Sequence, residues 1–216
     1  MMQARWTVGA MAAVVLMSIP VEAKAPSGLR GLLSAASDSA LSRLEKPGAF
    51  YADEAIRIGL PGPFKKLSGI MKYAGQAGLT KGLDKSLNDA AGIAAGAAKP
   101  VFRNAIDSMT LTDGIGIVTG GGTGATDYLE RSSGSVLEGQ LQPLVESALR
   151  KTGALAKVEK LIAGNPTAAA LGLSSSQITK SVTEQTADGI FQYMGQEERK
   201  IRANPLGIGK SLLGGG

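Results

Sequence analysis

Apolar side chains recur every three or four positions along most of this chain, and nowhere does a pair of clear strands bracket a helix. Leu29, Leu32, Leu33, Ala36, Ala40, Leu41 and Leu44 begin the pattern, forming one stripe on a helix from Gly28 to Lys46 that Pro47-Gly48 stops. A half-buried strand needs alternation at a period of about two, which is missing throughout. The sequence therefore predicts an all-α class: a single irregular bundle of about eight helices with short Gly/Pro-rich connections.

After that first helix comes "AFYADEAIRIGLPGP", in which "AIRIGL" reads as a short extended segment. Pro63 opens a second helix with Phe64, Leu67, Ile70, Met71 and Ala74 on its face, ended by Gly75 and Gly78. A third, from Thr80 to Ala98, turns Leu83, Leu87, Ala90, Ala91 and Ala94 inward; its "AAGIAAGAA" portion has so little bulk that a neighbour can pack very close. Pro100 begins a fourth, buried through Phe102, Ala105, Ile106 and Met109. In "TLTD", Thr110 is placed to cap a short helix and Asp113 to face back to it, with Leu111, Ile115 and Val118 on one side. Thr123 is placed to cap the next helix, Pro143 to begin or kink its continuation, and Gly153 to close it. A shorter helix, Ala154 to Ala163, leads through the connector "TAAALGLSSS" to the last long helix. Ser175 or Ser176 caps that helix, and Asn204-Pro205 ends it.

The N-terminus reads as an export signal: Arg5 is followed by an apolar run from Thr7 to Ile19 and by the small residues Val21 and Ala23, which places cleavage before Lys24. Residues 1–23 are then the signal, 24–27 a flexible start, 28–205 one helical domain and 206–216 a flexible tail. The expected location is the periplasm or another exported, soluble one. The apolar run is shorter than the roughly 20 residues of a spanning helix, so no transmembrane span remains after cleavage.

With no cysteine and no histidine, the chain has no disulfide, no thiolate metal site, no thiol catalysis and no Ser-His-Asp triad. The formal charge is +5, but Lys and Arg are scattered, and an exported protein is a poor nucleic-acid binder; no nucleic acid partner is expected.

"IGIVTGGGTGATDYL", Ile115 to Leu129, imitates a nucleotide-binding turn, because Gly120, Gly122 and Ala125 satisfy the spacing G-x-G-x-x-G/A. That motif requires a preceding strand and a second strand ending in an acid, and the flanking segments have helical periodicity instead. "GIGKS" at Gly207 to Ser211 likewise resembles a P-loop but lacks its leading glycine and the helix that must follow. No cofactor and no metal are expected. The loop Thr119, Gly120, Gly121, Gly122 reads as a reversal between helices, and Asp127 and Arg131, four apart beyond it, as an ion pair.

"IRIGLP" at Ile56 to Pro61, "AKPVF" at Ala98 to Phe102, "TGG" at Thr119 to Gly121, "ATDYLER" at Ala125 to Arg131, "DGIF" at Asp188 to Phe191 and "EERKIRANP" at Glu197 to Pro205 stand in order along the chain. With the exported N-terminus, they resemble the bacterial envelope family catalogued as domain of unknown function 4197. The resemblance implies a helical exported protein and carries over no activity. Gly122 and Gly124 depart from the family pattern, which has an acidic residue and an alanine there.

Chemistry in such a chain falls to carboxylates, lysine, tyrosine or serine. Asp127, Glu197 and Glu198 are the catalytic candidates. Arg57, Asp127, Tyr128, Arg131, Asp188, Glu198 and Arg202 form a candidate ion-pair network, binding or structural, between the loop helix and the last helix, because charges beside apolar faces must be paired. The expected function is noncatalytic: binding of an apolar or other envelope ligand, or of a periplasmic protein. The alternative is a hydrolase or lyase acting on envelope glycan, with Glu197 or Glu198 as acid and Asp127 as partner. No EF-hand spacing supports a Ca²⁺ or Mg²⁺ site.

Overall fold

The computed structural model describes residues 28–73, 82–109, 121–163, 166–171 and 173–204. Those residues form nine α-helices and one 3-10 turn, with no strand among them. They are α1 (Leu29–Leu44), α2 (Ala49–Ala52), α3 (Gly62–Tyr73), α4 (Leu83–Ala97), α5 (Lys99–Ser108), the 3-10 turn Gly121–Thr123, α6 (Gly124–Lys151), α7 (Ala154–Ala163), α8 (Pro166–Ala170) and α9 (Ser175–Ala203). The signal, start and tail, the capping pair Thr110 and Asp113, the residues Thr80, Thr119 and Gly120, and the side chains of Leu67, Ile70, Met71 and Ala74 lie outside the described residues.

Burial follows the predicted stripes. Leu33, Ala40, Leu41 and Leu44 of α1, Phe102 and Ile106 of α5, and Ile178, Val182, Ile190 and Met194 of α9 join one continuous core, and Ala36 of α1 is buried as well. The long helix α9 packs against both α6 and α1, and α4 lies against α6. Phe102 meets Phe191 edge-on, with ring centroids 5.7 Å apart. No helix among the described residues is long and apolar enough to cross a membrane.

Small residues set the closest approaches. A Cβ on Gly92 of α4 would stand 3.2 Å from the Leu44 carbonyl oxygen, so the end of α1 rests on the α4 backbone. A Cβ on Gly189 of α9 would stand 2.8 Å from Cε1 of Phe50, whose ring lies against the α9 backbone and anchors α2 there. Gly48, at φ +79°, supplies the left-handed turn by which the chain leaves α1 for α2.

Three expectations about helix extents change. The cap of α9 is Ser174, not Ser175 or Ser176. Its hydroxyl accepts the Gln177 N–H at 3.3 Å, and the Gln177 side chain returns a bond to the Ser174 N–H, a capping box. A cap at Ser175 would put the buried, apolar Ile178 at the answering position. The connector "TAAALGLSSS" also contains structure: Pro166 starts the five-residue α8, where proline's missing N–H costs nothing. Pro143 neither begins nor breaks a helix, because α6 is continuous through it. Both Pro143 and Gly139, whose carbonyl it leaves without a donor, are exposed to water.

"AIRIGL" is irregular rather than a strand: Ala55 and Ile56 lie in a turn, where the Ile56 N–H donates to the Asp53 carbonyl at 3.2 Å, and side-chain amides bond the backbone that follows. The Ile58 N–H donates to Oδ1 of buried Asn88 at 2.8 Å, and Asn88 Nδ2 donates to the Ile58 carbonyl at 3.0 Å. Gln185 of α9 does the same for Gly59, at 2.8 and 3.1 Å. Asn88→Ala therefore leaves a buried N–H and a buried carbonyl unbonded, for an expected loss of about 2–3 kcal/mol in chemical denaturation. A loss below about 0.5 kcal/mol, the scale of an ordinary surface change, would show that the segment is held some other way.

Candidate functional site

The start of α6 is capped from across the bundle. Thr123 occupies the N-cap position, but its hydroxyl donates to Asp127 Oδ2 at 3.0 Å and caps nothing. Glu198 of α9 does the capping. Its Oε1 accepts the Ala125 N–H at 3.0 Å, and its Oε2 accepts the Thr126 N–H at 2.8 Å and the Thr126 hydroxyl at 2.7 Å. Arg202, one turn along α9, adds Nε at 2.8 Å and Nη2 at 2.7 Å to Oε1. Glu198 is wholly buried, yet each of its oxygens is bonded, and its charge faces the positive end of a 28-residue helix. Here α9 and the turn touch closely, since a Cβ on Gly195 would meet Thr123 Cγ2 at 3.1 Å.

The preceding residue points the other way, toward α1, because successive helix positions are rotated by about 100°. Glu197 accepts from Ser39 Oγ at 2.9 Å, from Lys200 Nζ at 2.8 Å and from Arg43 Nη1. Burial pushes the Glu197 carboxyl up, but the bonds from Lys200, Ser39 and Arg43 together outweigh it and hold the group below the ordinary range. The Arg43 guanidinium also covers the Tyr193 ring, 4.9 Å from its centroid. Tyr193 in turn donates its hydroxyl to Asp53 Oδ2 at 2.8 Å, and Asp53 Oδ1 accepts the Ala55 N–H at 3.0 Å. The Tyr193 bond, then the Ala55 bond, lower the Asp53 carboxyl; burial, then the bond to Asp53, raise the Tyr193 hydroxyl.

This chain of contacts runs into an open groove of about 520 Å³ between the end of α1, α2 and α9. Its lining carries both signs of charge, Arg43 and Lys46 with Asp53 and Glu54, together with Tyr193 and with Ala49 and Ala52 of α2.

The predicted ion-pair network does not assemble as a unit. Glu198 and Arg202 pair, but Arg57 stands elsewhere, donating to the Tyr51 carbonyl at 2.7 Å and covering the Tyr51 ring at 5.1 Å. Asp127 is taken by Thr123, and among the described residues Arg131 makes no ion pair and is exposed. Asp188 is exposed and faces like charge: partial burial and then Glu184 raise its carboxyl. Glu130 is raised by burial and then by Asp188, Asp127 and Glu138, so this face of α6 and α9 is an acidic stripe. Tyr128 is half-buried against the core. Gly121, at φ +76°, makes the expected reversal, and Gly122 lies under Arg199, whose Cγ is 2.8 Å from where a Cβ would stand.

The sequence reading named Glu197 but missed Arg43, Asp53 and Tyr193. Tyr193 and Asp53 are 140 positions apart, and no spacing rule links them. Among the described residues no group of three acids is placed to hold a metal ion. The bonded, lowered carboxyls hold no proton to give at neutral pH, and Tyr193 retains its own. The arrangement fits recognition of a bound molecule better than proton transfer.

Two outcomes follow. Glu198→Ala strips α6 of its cap and leaves Arg202 half-buried without a partner; the expected loss is about 3 kcal/mol, with a melting temperature lower by about 6–12 °C. A near-neutral effect would mean that water replaces the carboxylate. Glu197 and Asp53 have folded values below their unfolded ones, so their contribution is complete above the ordinary carboxyl range of about 4 and disappears as the pH falls through the lowered values. Glu197→Gln should flatten the acid limb of stability against pH, and an unchanged limb would place the acid-sensitive group elsewhere.

No curated protein and no solved structure matches the chain. The model of the family described as "Protein of unknown function (DUF4197)" matches residues 20–215, nearly the whole sequence, and the chain belongs to that family.

Proposed function

We propose that this protein is a noncatalytic binding module of the periplasm that takes a polar ligand into the groove between α1, α2 and α9. One observation carries the reading. The three catalytic candidates, Asp127, Glu197 and Glu198, are each hydrogen-bonded within the fold, while Lys46 and Glu54 border the groove exposed and without ion-pair partners among the described residues. In the same lining, Arg43, Tyr193 and Asp53 are held in place by one another and by Glu197. Such preorganised polar groups in a concavity of this size are the ordinary makings of a ligand site. The charged lining argues against a lipid. The location rests on the signal-like N-terminus, with Arg5, the run Thr7 to Ile19 and Ala23 before the cleavage point.

The alternative of a hydrolase or lyase on envelope glycan needs a carboxyl that keeps its proton near neutral pH. Glu197 is shifted the opposite way, and Glu198 is sealed from any substrate.

Native mass spectrometry of the full-length protein, exported and isolated from its own host's periplasm, tests the proposal. A small-molecule adduct is expected on the wild type and is expected to vanish from the Lys46→Ala, Glu54→Ala double variant. Bare protein in both samples would overturn it. Release of reducing ends from envelope glycan, abolished by Glu197→Gln, would put the catalytic alternative first.

A further inference from the structure

We infer that the groove selects a small ligand carrying both an anionic and a cationic group. The inference rests on the groove being the binding site and adds the chemistry of what enters it.

Both signs of charge line the groove. Arg43 and Lys46 come from the last turn of α1 and the residues just after it, and Asp53 and Glu54 follow α2 directly. A lone anion attracted to Arg43 and Lys46 is repelled by Asp53 and Glu54, and a lone cation meets the reverse. A ligand with both charges gains from both pairs.

The fixed groups suit the two ends. Arg43 gives Nη1 to Glu197 and keeps further guanidinium donors with a side chain 41% exposed, so a carboxylate can dock on it while its stacking on Tyr193 holds the plane. At the other end, Asp53 is oriented by Tyr193 and Ala55, while Glu54 is free to swing onto an ammonium group. The short side chains of Ala49 and Ala52 leave the backbone of α2 open to a peptide-like molecule lying along it.

Three probes test this: alanyl-alanine, its N-acetyl form without the ammonium, and its C-terminal amide without the carboxylate. Binding to the full protein is read from the backbone amide resonances of Ala49 and Ala52. Alanyl-alanine should bind, and each blocked form should bind about tenfold more weakly or worse, as expected for one lost charge-assisted contact. Lys46→Gln should shrink the penalty for the amide, and Glu54→Gln the penalty for the N-acetyl form. Both side chains are exposed, so neither change threatens the fold. Equal binding of alanyl-alanine and its N-acetyl form would overturn the inference in favour of a plain anion site. If none of the probes moves the two resonances but a periplasmic small-molecule extract does, the two-charge ligand is wrong and the groove stands. If neither moves them, both readings fall.

Discussion

A buried carboxylate that has to be satisfied organises this bundle. Glu198 loses all contact with water, and an isolated charge in that position would cost several kcal/mol. The fold compensates by delivering the first N–H groups of α6, the Thr126 hydroxyl and the Arg202 guanidinium to the same two oxygens. The start of α6 and the far end of α9 thus satisfy each other's polar groups. With α9 in that rotation, Glu197 necessarily turns to α1, where Ser39, Arg43 and Lys200 hold it. Two adjacent glutamates thus fasten one helix to two neighbours on different sides.

Groove and clasp are one construction. Arg43 bonds Glu197 and covers Tyr193, so the group that ties α1 to α9 is also a wall of the open concavity. Rigidity there comes from bonds that the fold needs in any case, which is a common route to a preorganised site.

Helix positions were readable in the sequence because a period of about 3.6 is imposed by burial, and burial is what the core enforces. Side-chain partners were much less readable, and the reason is visible in two pairs with identical spacing. Glu198 and Arg202 meet as i, i+4 neighbours should; Asp127 and Arg131 do not, Asp127 accepting the Thr123 hydroxyl while Arg131 stays exposed. The spacing brings both pairs within reach without deciding whether they join. Long-range links such as Asn88 to Ile58 or Tyr193 to Asp53 leave no local trace at all. The cap of α6 was sought at Thr123 for the same reason: a local residue of the right type was present, and the actual one was more than seventy positions away.

The Phe50 ring lies where a side chain on residue 189 would otherwise project, and that contact fixes how deeply α2 sits against α9. The width of the groove is thereby governed from behind, by a position that does not line it. Changes among the lining residues would alter which molecule is held. A change at residue 189, even to alanine, would force the Phe50 ring, and with it the packing of α2, to give way.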